Sequence, residues 1–293
     1  MKLIKSSFKI LEQEPGLQGI YKQIELAGRT CYKSLDKITE DSAEDFVDRM
    51  IKSQHYAMLE HGTVYLAIPY RGDIIRSKYY QNPYSKVNHY STGYNEGFID
   101  VTTNYRVLVE NGWLDDLKYL CEPTEYHERR ITIKFICDRG VSHEFVRHRV
   151  FSFAQESTRY CNYSKDKFNN EITYIIPCWM NLEEGSYNNG KYYNTIAIPY
   201  LVKGTTEEIF LLKLVGDELD YFDLLEKGWT PQQARQVLPN ALKTELVMTG
   251  FISDWQNFFS LRTSIIAETG KPHPDASFLA DSLYREFKNR HFI

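Results

Sequence analysis

The sequence predicts an α+β fold, and three observations carry that expectation. Val64, Leu66 and Ile68 alternate with polar or small neighbours at the period of two that marks a strand, as do Ile131, Ile133, Phe135 and Cys137 against Thr132, Lys134 and Ile136. Several other stretches repeat apolar residues at helical spacing behind capping residues. A chain of 293 residues with 42% hydrophobic content can bury a sizeable core.

The elements follow in chain order. Phe8–Ile10 reads as a short first strand, and Leu17, Ile20, Tyr21 and Ile24 recur at helical spacing as far as Ala27. The polar stretch Arg29–Ser34 reads as a loop. Ser42 with Asp45 three residues on reads as a capping box for a helix ending near Gln54, with Phe46, Val47, Met50 and Ile51 on one face. Residues 70 to about 104 are rich in Tyr, Asn, Ser and Gly, and Val107–Leu120 reads as helical. Gly140 ends the strand that begins at Ile131, and Ser142 caps a short helix through Arg147. If the strands at 64–68 and 131–137 share one sheet, His55 before the first and Arg147 after the second can reach a common site. Ile172–Pro177 interrupts a polar region. Thr205 and Glu208 cap a long helix carrying Ile209, Leu212, Leu219 and Phe222, which stops at Gly228. Thr230-Pro231-Gln232-Gln233 is a second capping box, with Pro at the first helical position. Around Ser253 another helix places Trp255, Phe258, Phe259 and Arg262 on one face. The last helix runs from about Pro274 with Leu279, Leu283 and Phe287 turned inwards.

Composition narrows the function. A net charge of −4 argues against a general nucleic-acid binder, which is usually basic. No segment approaches the ~20 apolar residues that a membrane span requires. The N-terminal MKLIKSSFKILEQEPG lacks the sustained apolar region of a signal peptide. The five cysteines (Cys31, Cys121, Cys137, Cys161 and Cys178) are scattered and never form CxxC, as expected of reduced thiols in a cytoplasmic protein without a metal site. Two histidines and a Glu in His55–His61 have the wrong spacing for a zinc-binding helix.

The densest chemistry lies in Ser142–Asn162, SHEFVRHRVFSFAQESTRYCN. Arg147, Arg149 and Arg159 stand among His143, His148, Glu144, Glu156, four hydroxyls and three phenylalanines. Fixed guanidiniums beside apolar walls suit a planar phosphorylated anion, because the Arg fork matches phosphate and stacks on rings. A solvated ion-pair network is the alternative. Spacing decides between them. Arg147-His148-Arg149 is followed by seven residues and then Ser157, inside Gln155-Glu156-Ser157-Thr158-Arg159-Tyr160. This arrangement resembles the flavin-dependent thymidylate synthases. Weaker matches to the same family are His55-x-x-x-x-Glu60-His61, Ala234-Arg235-x-x-Leu238-Pro239 and Asn257-Phe258-Phe259-Ser260-Leu261-Arg262.

The resemblance implies an antiparallel sheet with packed helices, in a single catalytic domain over 1–293 with an insertion at about 70–128. That insertion reads equally as a lid, an oligomer contact or a surface excursion. The implied reaction makes dTMP from dUMP, with 5,10-methylenetetrahydrofolate as carbon donor and FAD, reduced by NADPH, as hydride carrier. The implied assembly is a homotetramer with shared active sites. By the same resemblance Arg147, Ser157, Thr158, Arg159 and Arg235 hold the nucleotide, with Glu144, Glu156 and Arg262 beside it and Gln155 between nucleotide and flavin. His55, Ala57, Arg147, His148, Arg149, Ser253 and Asn257 contact FAD, and the loop at 29–34 lies near it. Arg262 faces the uracil, a fixed cation where negative charge develops. Departures are Phe251 and Ser253, where compact relatives have Asn and Arg, and Glu144, which is Gln in some. Two other readings stand beside this one. The first is a non-catalytic nucleotide or single-strand binder that stacks bases on aromatic rings. The second is a cysteine-dependent synthase using Cys178, which follows Pro177 but reads as structural.

Overall fold

Buried alternation decides where the sheets lie. The computed structural model describes the chain apart from residues 72–76, 94–95, 160, 166–167, 169, 188–203 and 268–269. Strands β1 (Lys2–Lys5) and β2 (Ser7–Leu11) open it, and helix α1 runs Gly16–Tyr32. The expected loop at 29–34 is therefore mostly the last turns of α1. Arg29 and Thr30 are buried there because Arg29 Nε donates to Glu25 Oε1 at 2.6 Å and Thr30 Oγ1 donates to the Leu26 carbonyl at 2.8 Å. Polar residues satisfied within the helix need no loop. Helix α2 (Ser42–Lys52) buries Ala43, Phe46, Val47 and Met50, the last three in one cluster with Ile20, Ile24 and Ala27 of α1. Its capping box does not form. Ser42 is already helical, and its hydroxyl donates to Glu25 Oε2 on α1 at 2.9 Å.

A 3-10 turn at Tyr56–His61 leads into β3 (Thr63–Arg71), followed by α3 (Ser77–Tyr80), β4 (Lys86–Gly93), β5 (Glu96–Asn104) and α4 (Tyr105–Asn111). These strands form an antiparallel sheet in the order β3-β5-β4. The composition at 70–104 hid both β4 and β5. The helical stretch expected at 107–120 breaks at Gly112, a left-handed cap at φ 68°, and resumes as a 3-10 turn over Leu114–Tyr119.

β6 (Arg130–Asp138) leads into α5 (Arg139–Phe145), then β7 (Ser152–Gln155), β8 (Thr173–Ile176) and β9 (Gly185–Ser186). Asp138, not Ser142, caps α5 by accepting the Val141 N–H at 2.8 Å, so Gly140 and Ser142 lie inside the helix. Helix α6 (Thr206–Glu226) carries the expected Thr205/Glu208 capping box. Its buried stripe is Leu211, Leu214, Val215, Glu218 and Tyr221, while Ile209 is exposed. Helix α7 (Pro231–Ala234) has the Thr230/Gln233 box and passes into a 3-10 turn at Arg235–Val237. β10 (Lys243–Phe251), α8 (Ile252–Arg262) and α9 (Pro274–Asn289) complete the chain.

β2, β6, β10 and β7 form a wholly antiparallel sheet in that order, while β1 pairs parallel with β8 and antiparallel with β9. β3 and β6 thus belong to different sheets, against the single-sheet expectation. The α+β class and its antiparallel pairing hold. On one face of the four-stranded sheet, Ile131, Ile133 and Phe135 meet Trp255, Phe258 and Phe259 of α8 and Leu279, Leu283 and Phe287 of α9. Trp255 Nε1 donates to the Ile131 carbonyl at 3.1 Å, so its ring is buried without an orphaned N–H. On the other face a buried chain of hydrogen bonds, His61 Nδ1 to Thr249 Oγ1 (2.8 Å) and on to Thr132 Oγ1 (2.9 Å), ties the turn at 56–61 to this sheet.

Gly250 on β10 leaves room for Phe151, because a Cβ there would lie 2.4 Å from the Phe151 ring. Gly250→Ala is expected to push Phe151 off Trp255 and lower the unfolding free energy by ~1–3 kcal/mol in urea denaturation.

Candidate functional site

β6 feeds α5, whose end opens into Arg147-His148-Arg149; β10 feeds α8, whose last residue is Arg262. At ~1.5 Å per residue, α8 runs back about 16 Å over the sheet and returns Arg262 to the end of α5. There Arg262 Nη1 donates to Glu144 Oε2 at 2.6 Å, Nη2 to the Glu144 carbonyl at 3.0 Å, and Nε to His148 Nε2 at 3.1 Å. The arginine on the apolar face of α8 therefore meets an anion within its own chain.

Because His148 Nε2 accepts, its proton sits on Nδ1 and the ring is neutral. Burial, and then the Arg262 charge, push the His148 pKa down to about 4. The ring packs edge-on against Phe258 at 5.0 Å. Its neighbours Arg147 and Arg149 are exposed and pair with no described carboxylate. Two exposed guanidiniums flank a neutral imidazole, an arrangement open to an anionic ligand.

The Gln155–Arg159 segment follows β7. Gln155 Nε2 donates to Ser142 Oγ (2.9 Å) and Thr244 Oγ1 (3.2 Å), which ties β7 to α5 and β10. The Ser157 N–H donates to the Cys31 carbonyl at 3.0 Å, and Arg235 Nη1 to Thr158 Oγ1 at 2.9 Å, so the segment meets both the end of α1 and the turn after α7. Arg159 is exposed, and Tyr160 lies outside the described residues.

Glu156 is buried in a charge cluster that sequence reasoning missed. Lys243 Nζ donates to Glu156 Oε2 at 2.7 Å and to Glu245 Oε1 at 2.5 Å, Lys134 pairs with Glu245 Oε2 at 2.5 Å, and Lys33 pairs with both glutamates. Burial pushes the Glu245 carboxyl up, but Lys243 and Lys33 outweigh it and hold the group well below the usual carboxylate range. The available signal was Lys243 and Glu245 at i and i+2, one face of a strand not recognised as such. A cavity of about 210 Å³ opens beside this cluster, lined by Lys2, Lys33, Glu156, Tyr163 and Lys243 among others.

The flavin-assigned residues are less gathered. His55 and Ala57 are exposed on the turn before β3, and His55 Nδ1 is hydrogen-bonded to the Tyr32 hydroxyl at 3.0 Å. Ser253 is held by Glu128, its N–H at 3.1 Å from Oε1, and Asn257 is exposed on α8. No hydrogen bond among the described residues joins these four to Arg147–Arg149. A larger cavity of about 470 Å³, lined by Glu12, Glu14, Thr63, Tyr65, Arg130 and Arg290 among others, has none of them in its lining. Cys178 is exposed, and burial followed by Asp275 raises its thiol to about 11, which disfavours the thiolate a nucleophile needs.

Comparison with known proteins adds the following. Residues 122–291 match the family described as thymidylate synthase complementing protein. A flavin-dependent thymidylate synthase of Pyrococcus furiosus is 30% identical over 126 residues, 43% of each chain. One from Sulfolobus acidocaldarius is 34% identical over 125 residues, 42% of this chain and 38% of that one. The chain thus spans less than half the length of these relatives. A crystal structure of the UMP/dUMP methylase PolB from Streptomyces cacaoi, bound with 5-Br UMP, aligns over 99% of this chain and 92% of that one. Its TM-score is 0.44 at 15% identity, too distant to add to the assignment.

The depressed His148 pKa has a checkable sign. Between about 4 and the ordinary 6.5 the unfolded chain takes up a proton that the folded one refuses, so stability falls as pH drops through that window. His61, held at about 3 by burial and then Arg130, adds to the same loss. In thermal melts from pH 7 to pH 4, His148→Gln is expected to remove part of this slope and leave the part due to His61.

Proposed function

The chain belongs to the thymidylate synthase complementing protein family, and from that premise we propose that it is a flavin-dependent thymidylate synthase. In this reading it methylates dUMP to dTMP with methylenetetrahydrofolate, and NADPH reduces its FAD. The observation that carries the reading is the meeting of Arg262 with the segment at Glu144–His148, from 118 positions away in the chain. The matched family motifs need these two stretches side by side.

The residues present fit a flavin. Arg147 and Arg149 are exposed, without described carboxylate partners, and flank a neutral His148, which suits a dinucleotide's diphosphate. Asn257, His55 and Ala57 offer exposed groups on α8 and on the turn before β3, and the Ser253 hydroxyl contributes only if it leaves Glu128. When bound, the flavin supplies the hydride chemistry. The protein's share is to bind and orient. Ser157, Thr158, Arg159 and Arg235 take the nucleotide phosphate, with Arg147 shared between phosphate and flavin. Thr158 and Arg235 are already joined, so a phosphate meets a preset donor pair. Gln155, fixed by Ser142 and Thr244, stands between the two ligands. Glu156, held by Lys243, shapes the nucleotide wall. Arg262 faces the uracil and stabilises negative charge as the ring carbon becomes nucleophilic.

The reading includes one catalytic domain over 1–293 with an insertion at about 70–128, working in the cytoplasm as a homotetramer whose subunits share sites. The insertion is built into the core, since Ile99, Val101, Tyr105 and Leu108 pack with Leu59 and Val64. That favours a structural element over a loose lid.

The test is an absorbance spectrum of the purified protein, repeated after anaerobic NADPH and again after dUMP with methylenetetrahydrofolate. A flavin spectrum that bleaches and then returns is expected; a colourless protein that takes up no added FAD overturns the reading. Arg262→Ala is expected to lower turnover by ~10²–10³-fold while FAD stays bound, in steady-state assays on the flavin-loaded tetramer.

A further inference from the structure

Arg262 has five N–H donors in a rigid fork, and three of them are spoken for. Nε is held by His148, Nη1 by the Glu144 carboxylate, and Nη2 by the Glu144 main-chain carbonyl. That carbonyl belongs to the last turn of α5, where helix carbonyls have no intrahelical donor. The neighbouring carbonyls of Ser142 and Phe145 are taken by the N–H groups of Val146 and His148, so Arg262 closes the end of α5 from another helix. The clamp is not sealed in the core: the Arg262 and Glu144 side chains keep 18% and 27% of their exposure. Two N–H groups, one on each Nη, make no hydrogen bond among the described residues and remain for an incoming ligand.

We propose that Glu144 is a positioning residue that acts through Arg262. It grips the guanidinium by side chain and main chain together, so that the two remaining N–H groups point at the nucleotide base. This rests on the thymidylate synthase reading and changes the part Glu144 plays in it. An ionised carboxylate only accepts hydrogen bonds, and uracil presents two carbonyl acceptors beside its single ring N–H. Direct contact of Glu144 with the ring would also oppose the negative charge that the reaction develops there. One step behind Arg262, the same carboxylate fixes the cation in advance, and a fixed cation needs no reorganisation at the moment of reaction. The pair also enters the reaction uncharged overall, so Arg147, Arg159 and Arg235, not Arg262, attract the nucleotide phosphate.

Two variants and two readouts test this. Glu144→Ala removes the side-chain grip but leaves the main-chain one; Glu144→Gln keeps a hydrogen-bond acceptor without the charge. The first readout is phenylglyoxal modification of the flavin-free full chain, followed at Arg262, Arg147 and Arg149 by peptide mass spectrometry. Arg262 is expected to react severalfold faster in Glu144→Ala than in the unaltered protein, with Glu144→Gln between them and the other two arginines unchanged. The second readout is steady-state kinetics on the loaded enzyme. Here kcat is expected to fall by ~10²-fold in Glu144→Ala, with the KM for dUMP within about threefold, the pattern of a misplaced group and not a lost ligand. Unchanged Arg262 reactivity overturns the anchor. A raised KM at constant kcat overturns it in favour of direct nucleotide binding. An unaltered protein that makes no thymidylate removes the functional reading, while the modification rates still decide whether Glu144 holds Arg262.

Discussion

The nine-residue antiparallel pairing of β6 with β10, from Asp138 opposite Lys243 to Arg130 opposite Phe251, is the constraint on which the other arrangements depend. One end of the ladder releases α5 and the Arg147–Arg149 segment, and the other releases α8. The pairing fixes how far α8 must travel to bring Arg262 back. Because strand side chains alternate, a slip of one residue would exchange the two faces of β10. Glu245 would then turn towards Phe135 and Trp255, and Leu246 and Met248 would leave the aromatic cluster. The register is held by what each face contains.

The site is built by polar groups that have found partners. Lys33 ends α1 in the left-handed region at φ 51°, a conformation that costs a non-glycine residue about 1 kcal/mol. Its ammonium reaches Glu245 and Glu156, so the turn that carries this cost also delivers a cation to a buried acidic pair. That cluster links α1, β6, β10 and the segment after β7, and it holds Glu156 beside the Ser157–Arg159 stretch. The same logic applies to Arg262, where one guanidinium closes α5, neutralises Glu144 and sets the tautomer of His148. Arg262 is also the last residue of α8, where a cation is favoured by the helix dipole.

The legible parts of the sequence were those where one physical signal acts alone. β6 shows because Ile131, Ile133, Phe135 and Cys137 alternate with Thr132 and Lys134. The caps of α6 and α7 show because Thr205 with Glu208, and Thr230 with Gln233, satisfy backbone donors by local chemistry. β10 was silent because LVMTGF is buried on both faces and has no alternation to read. β1 is four residues long and exists through its partners β8 and β9. The end of α1 looked like a loop because Arg29 and Thr30 are polar, yet their partners are one turn back in the same helix. Ser42 and Asp45 have capping spacing, but the serine hydroxyl is taken by Glu25. Among the site residues, the arginines were readable from motif spacing. The lysines and Glu245 were not, since their meeting is a product of register.

Arg262 shows how far such an inference carries. An arginine on an apolar helix face must snorkel or meet an anion, because burying it unpaired is costly. That requirement alone does not distinguish a ligand from an internal partner, and here the anion is Glu144. What favours a ligand is the count of donors left over. A purely structural ion pair at a helix end has no need to leave one N–H on each terminal nitrogen without a described partner, next to a His148 flanked by two arginines that pair with no described carboxylate. Where α5 and α8 end, Arg262 holds His148 between Arg147 and Arg149, and of these three arginines only Arg262 is balanced by a described acid. The local excess of positive charge, in a chain whose net charge is −4, marks this corner as the place where an anion completes the structure.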